Sequence, residues 1–353
     1  MSAARRLLFF LTCIILAITG YFGYQLFIAP KITRLPATDS MPFFNVDYLF
    51  ALEQDSPIAF RFGMQTISAS DLGNIMQKDM QDIKSAGFDG VKLHFYFRTN
   101  NYIQERLALK AAQAGLYPIG LLIGHNAKPR DRAFGEREMM EWELFVRGEV
   151  KANRNYIHYW EIWNEPGLDL FRYGAPEEYV ELLKRTSGAI RSESPEAKIV
   201  VTLDAEAGRK SGFSEQVLAL GGGQYFDVLS FHPYGSKPYI REDLFKEAIA
   251  YEKELVAKYG NRWPLMMSEI GQPASEVSEE EQARLGAMVC QEAIKEGIPL
   301  VWYHYSDFRL REGAVLGDGA RWGLLRSDGS PRPLFQEIKK AIQQYRLGKA
   351  SRS

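Results

Sequence analysis

The chain is short of the features that most often give a function away. It holds two cysteines in 353 residues, one in the apolar N-terminal stretch (Cys13) and one in an expected helix (Cys290), so no intradomain disulfide is available. In a chain this large that is compatible with an envelope location. A net charge of -1 and a pI near 6.6 leave no basic footprint, which excludes nucleic acid as a partner. Neither G-x-G-x-x-G nor G-x-x-x-x-G-K-[ST] occurs, which weighs against a doubly wound nucleotide-binding sheet. Barrel metallohydrolases open with an H-x-H pair on their first strand. The first regular apolar run here, PIAFRFGMQ (residues 57–65), has no histidine, so no metal and no other cofactor is expected.

What is present begins at the N-terminus. Arg5 and Arg6 precede LLFFLTCIILAITGYFGYQLFI (residues 7–28), where Gln25 is the one strongly polar side chain. Twenty-two helical residues span roughly 33 Å, enough for the hydrocarbon core of a bilayer. No A-x-A pattern follows, so residues 1–28 read as an uncleaved anchor. The arginines place the N-terminus in the cytoplasm and the body outside the cytoplasmic membrane. Residues 29–56 carry Pro30, Pro36 and Pro42 without clear periodicity and read as a linker.

From residue 57 the pattern is regular. Runs rich in branched and aromatic residues recur at 57–65, 90–97, 117–125, 156–165, 197–205, 226–234, 263–271 and 299–307, separated by stretches of helical periodicity. In the helix that precedes the seventh run Leu244, Ala248, Tyr251 and Leu255 share a face, and in the last helix Leu334, Ile338, Ile342 and Tyr345 do. Eight strands alternating with helices predict a (β/α)8 TIM barrel over residues 57–346, with 347–353 a frayed tail.

Active sites of such barrels lie where strands end. Those ends carry His94 and Tyr96, His125, Asn164 and Glu165, Asp204 and Glu206, His232 and Tyr234, Glu269, and Trp302, His304 and Asp307. Glu165 closes the fourth run and Glu269 the seventh, so they can face each other across the mouth. Two such carboxylates are what glycoside hydrolysis needs. A pair about 5–5.5 Å apart lets one attack the anomeric carbon while the other protonates the departing oxygen. If YWEIWNE is extended, Glu161, Trp163 and Glu165 share one face and Glu161 lies deeper, where it needs a basic partner, Arg61 or Lys92.

The set WNEP (residues 163–166), SFHPYG (230–235), MSEIG (267–271) and a tryptophan in the eighth run resembles the clan A glycoside hydrolases. Within that clan it is most similar to glycoside hydrolase family 39, in its shorter, anchored, exopolysaccharide-associated bacterial form. The resemblance implies a retaining enzyme with Glu165 as general acid/base and Glu269 as nucleophile. By the same matching, Asn164 binds the sugar 2-hydroxyl and Tyr234 orients the nucleophile. It further implies a polysaccharide substrate and a place beside an exopolysaccharide export assembly, and an endo mode is expected because no extra domain walls the cleft into a pocket. Two departures stand out. The clan's arginine on strand two is replaced by Lys92, so that Lys92, Arg61 or Arg98 must supply the charge, and no residues remain for the β-sandwich domain of typical family members. Two other readings stay open: a barrel that binds polysaccharide without cleaving it, and a transglycosidase.

The remaining residues divide by position. His94, His125, His232 and His304 are expected to bond sugar hydroxyls or support residues that do, and Trp163, Trp302 and Trp322 to stack on sugar rings. Trp142, Trp263 and His158 read as packing, and Asp169 as a solvated loop residue. In EVSEEEQ (residues 276–282), Ser278 and Glu281 form a capping box on an otherwise solvated face. The glycine-rich segment 308–330 is long enough to border the cleft.

Overall fold

The computed structural model describes residues 35, 40–48, 69–98, 101–124, 133–168, 171–205, 211–235, 239–307 and 321–350. The chain divides into two compact units, Met1–Leu35 and Pro36–Ser353, and the described fold is that of the second. Eight parallel strands close into a barrel in chain order. They are β1 (Phe44–Asp47), β2 (Gly90–Tyr96), β3 (Tyr117–Ile123), β4 (Tyr159–Ile162), β5 (Lys198–Asp204), β6 (Val228–Phe231), β7 (Leu265–Ile270) and β8 (Leu300–Trp302). The helices around them are α1 (Ala69–Ser85), α2 (Tyr102–Gln113), α3 (Glu136–Asn153), α4 (Pro176–Glu193), α5 (Phe213–Ala219), α6 (Glu242–Lys258), α7 (Glu279–Glu296) and α8 (Pro333–Ala350). Closure is made by β1, which pairs with β2 on one side and β8 on the other.

The expected strands two to eight each contain one of the observed strands. The first differs. β1 lies inside the stretch read as linker, so the barrel begins near residue 44 rather than 57, and the run 57–65 lies outside the described residues. β1 is four residues long, with only Phe44 and Val46 in the main apolar core, while its alternate positions are the polar Asn45 and Asp47. So short an alternation beside Pro42 carries little periodic signal. At the other end α8 continues through residue 350, so most of the expected tail is helix. Among the described residues no helix is long and apolar enough to cross a membrane, and the run 7–28 lies outside them.

Strand alternation sorts the side chains into two cores. Ile119, Tyr159, Val200, Val228, Met266 and Val301, one from each of β3 to β8, form a separate apolar cluster that fills the barrel interior. The larger cluster lies between strands and helices. α6 buries Phe245, Ala248, Ile249, Glu252, Leu255 and Val256, and α8 buries Leu334, Ile338, Ala341 and Ile342. One step toward the C-terminal ends of the strands the interior turns polar, with Lys92, Glu161, Thr202 and Ser268 all buried. That layer carries the site.

Candidate active site

Glu161 resolves the question its sequence raises. Its Oε2 lies 2.8 Å from the Lys92 ammonium, both side chains being wholly buried. Its Oε1 accepts from Ser268 Oγ at 2.7 Å and from Thr202 Oγ1. Burial pushes the Glu161 carboxyl up, but the charges of Lys92 and His232 and the hydrogen bonds from Lys92 and Thr202 together outweigh it, and the group titrates below the ordinary carboxylate range. Burial likewise opposes the Lys92 charge, and Glu161, Asp47 and Glu269 reverse that, leaving Lys92 raised. The same ammonium donates to the Ser268 carbonyl at 3.0 Å, one residue before Glu269. Lys92 therefore supplies the strand-two cation. Arg98 turns instead to Glu138 and Glu141 on α3, and Arg61 lies outside the described residues.

The expected face-sharing along β4 does not hold. The strand ends at Ile162, and Trp163 and Glu165 both have positive φ, 65° and 47°. Alternation is lost there, and Trp163 packs outward against Phe134, Trp142 and Tyr173 with Nε1 donating to the Phe171 carbonyl. It is packing, not a sugar platform. Glu165, 6% exposed, has its Oε1 2.6 Å from His232 Nδ1. The other face of that imidazole, Nε2, lies 3.0 Å from Ser268 Oγ. Burial depresses His232, yet the adjacent Glu165 carboxylate and the more distant Glu269 reverse this and raise it.

Glu269 stands at the end of β7, where the register against β8 shifts between Met267 and Ile270. Such an irregularity re-aims side chains, and here consecutive residues, Ser268 and Glu269, both serve the site. Tyr234, from the loop after β6, donates to Glu269 Oε1 at 3.2 Å. The Glu269 carboxyl is raised, chiefly by burial and further by Glu165 and Asp47, against the lowering pull of His232 and Lys92. Asn164 is 9% exposed, and its amide oxygen has no partner among the described residues.

The other sequence candidates divide. His94 belongs to the mouth, but its Nε2 donates to Asp47 at 2.8 and 2.9 Å. Burial alone would raise Asp47; His94 and Lys92 instead hold it lowered. His304 is buried behind this pair, and desolvation takes it down to about 4, so it is neutral at physiological pH. Trp302 is not in the cleft. Val301 faces the barrel interior, so Trp302 faces the helices, where its ring sits against Gly286 of α7. The tryptophan near Glu269 is Trp322, whose ring lies 6.1, 4.8 and 5.4 Å from those of Tyr234, Tyr239 and Tyr303. His125, Asp169 and Glu206 lie outside the described residues. Trp142 and Trp263 are packing, as expected. Ser278 caps α7 as expected, but Glu279 is no solvated residue, since it binds Arg326 and Arg332.

Sequence reading missed Asp47, Thr202, Ser268 and Tyr303. Asp47 was hidden by the brevity of β1. Thr202 and Ser268 are uncharged and become visible only once Glu161, which accepts from both, and His232, which meets Ser268, are in place.

Fold and site together define a (β/α)8 barrel with two carboxylates at the ends of β4 and β7, one held by a histidine and the other by a tyrosine. No protein-family model matches the chain, and no curated protein matches it in sequence. Solved structures match its fold. A family 39 glycoside hydrolase from Bacteroides cellulosilyticus WH2 is 20% identical with a TM-score of 0.64, covering 76% of this chain. This chain spans 61% of that one. A family 5, subfamily 18 enzyme from Streptomyces cattleya, in complex with GlcNAc, is 18% identical with a TM-score of 0.59, covering 78% of this chain and 75% of its own. Xylanase 10B from Thermotoga maritima is 17% identical with a TM-score of 0.55, covering 76% and 90%. These neighbours are glycoside hydrolases on TIM barrels, and at such identities they establish the fold.

Proposed function

We propose that the protein is a retaining glycoside hydrolase acting on a polysaccharide. The observation that carries this reading is the pairing of Glu165 with His232 and of Glu269 with Tyr234 at opposing strand ends of one barrel. Glu269 attacks the anomeric carbon as the glycosidic C–O bond breaks, and Glu165 gives its proton to the leaving oxygen. Glu165, now a carboxylate, takes a proton from water. That water attacks the same carbon and releases Glu269. Tyr234 aims the nucleophile, and Lys92 holds the peptide that precedes it. The N-terminal apolar run supports a single-pass anchor in the cytoplasmic membrane with the barrel outside, where an exopolysaccharide cut internally, beside an export assembly, is the fitting substrate.

The test incubates the chain with a panel of bacterial exopolysaccharides and other glycans and counts new reducing ends for wild type and Glu269→Ala. Release that disappears in the variant supports the reading. If one polymer binds tightly and neither protein cuts it, the reading fails in favour of a binding scaffold. Products longer than the substrate at high acceptor concentration would make the enzyme a transglycosidase.

A further inference from the structure

The buried polar layer does more than balance charge. Ser268 Oγ touches Glu161 Oε1 at 2.7 Å, Thr202 Oγ1 at 2.9 Å and His232 Nε2 at 3.0 Å. A serine hydroxyl has one proton to give. Glu161 is ionised against Lys92, and a carboxylate is the strongest acceptor within reach, so the serine proton points to Glu161. The serine then meets the imidazole with a lone pair, and Nε2 must carry a hydrogen to satisfy the contact. Thr202 also donates to Glu161 Oε1, so it does not reverse the direction.

We propose that Ser268 is a positioning residue that, anchored by the Lys92–Glu161 pair, fixes His232 with its Nε2 protonated and so leaves Nδ1 as the nitrogen that exchanges a proton with Glu165. The proposal rests on Glu165 being the acid/base. Its chemical consequence follows from the 2.6 Å between Nδ1 and Glu165 Oε1. Two bare lone pairs do not sit that close, so the His232–Glu165 pair keeps a shared proton, on one partner or the other, while Glu165 Oε2 serves the leaving group. The proton that Oε2 gives to the leaving oxygen is a second one; once it has gone, the shared proton rests on Nδ1, and the imidazolium faces the new carboxylate and stabilises it.

The charged and titratable groups around His232 come from every neighbouring strand: Glu161 and Glu165 from β4 and its end, Lys92 from β2, Asp204 from β5, Tyr234 beyond β6 and Glu269 from β7. Glu165 meets Nδ1, while Glu161, Lys92 and Glu269 act on the imidazole through charge; the Asp204 carbonyl accepts from the His232 backbone N–H and Tyr234 packs edge-on to the ring. Among the described residues Ser268 is the group that meets Nε2. Removing its oxygen strands an Nε2–H in a wholly buried site and destabilises the imidazolium, so the pair gives up its proton at lower pH.

The test is solid-state nitrogen-15 NMR of the full-length chain labelled at its five histidines, with His232→Asn to assign the ring, over about pH 5 to 8. In the wild type, Nε2 of His232 stays protonated throughout and only Nδ1 responds to pH. In Ser268→Ala the Nδ1 midpoint falls by about one pH unit, and the alkaline limb of kcat/KM moves with it. An unprotonated Nε2 in the wild type overturns the proposal without any variant, as does a Ser268→Ala protein whose midpoint and alkaline limb both stay put. If no glycan is cleaved, the function proposed above fails, yet the NMR arm still decides the relay. If cleavage is found and the tautomer is wrong, only the relay falls.

Discussion

Lys92 offers the sharpest energetic test because its partner cannot escape to water. The Lys92–Glu161 contact is 2.8 Å between two wholly buried side chains. At an effective dielectric of about 20 the Coulomb attraction at that distance is about 6 kcal/mol. Removing Lys92 also returns its own desolvation cost, while Glu161 keeps two hydroxyl donors, so Lys92→Met should lose about 3–5 kcal/mol rather than the whole. Glu161→Gln should lose a similar amount by leaving the ammonium alone. The double variant Lys92→Met/Glu161→Gln removes both charges and should recover at least about 2 kcal/mol relative to the sum of the singles. Denaturant unfolding of the four proteins at constant pH measures each value. Single losses below about 1 kcal/mol, or strict additivity in the double, would refute the account of this pair as the charge anchor of the site. Its pH dependence has a definite sign. Glu161 is depressed on folding, so its contribution is present above its unfolded pKa and lost as pH falls through the folded value. Lys92 is raised, so its contribution is present below its unfolded pKa and lost as pH rises through the folded value. Wild type minus Lys92→Met should therefore be a plateau across neutrality that declines at both extremes.

Tyr234→Phe removes the 3.2 Å bond to Glu269 and keeps the ring among Tyr239 and Trp322, so kcat/KM for glycan cleavage should fall about 10- to 100-fold with the unfolding midpoint little changed. Equal activity in steady-state assays would mean that Tyr234 does not orient the nucleophile. Arg332→Ala strips a buried guanidinium that binds Glu279, Asp307 and the Gly323 carbonyl, which ties α7 and the end of β8 to the segment bearing Trp322. A loss of about 3 kcal/mol in denaturant unfolding, with a red-shifted tryptophan emission, is expected. A variant with wild-type stability and emission would show that this cluster does not hold the segment bearing Trp322 in place.

Legibility of the chain varied with the length of each signal. β2, β3 and β5 are seven-residue strands flanked by polar punctuation, and their apolar content stood out. β1, at four residues with two polar positions, did not. The two glutamates were readable because an acidic residue ending an apolar run is costly unless it has a task. The tryptophans were misread for a geometric reason. Alternation predicts a face only while the backbone stays extended, and positive φ at Trp163 and Glu165 ends that condition within three residues. On β8 alternation did hold, and it was the direction of Trp302, outward to Gly286, that the pattern alone left open.

The sequence by itself determined the barrel class, through seven of its eight runs, each of which holds an observed strand, and it placed Glu165 and Glu269 at strand ends. Tertiary structure alone decided which strand closes the barrel, that Lys92 meets Glu161 while Arg98 turns to Glu141, and that Ser268 stands between Glu161 and His232. The physical reason is range. Hydrophobic periodicity is local and survives in the order of residues, whereas a charge pair across 69 positions or a hydroxyl contact across 107 exists only after closure brings β2, β4 and β7 around one axis.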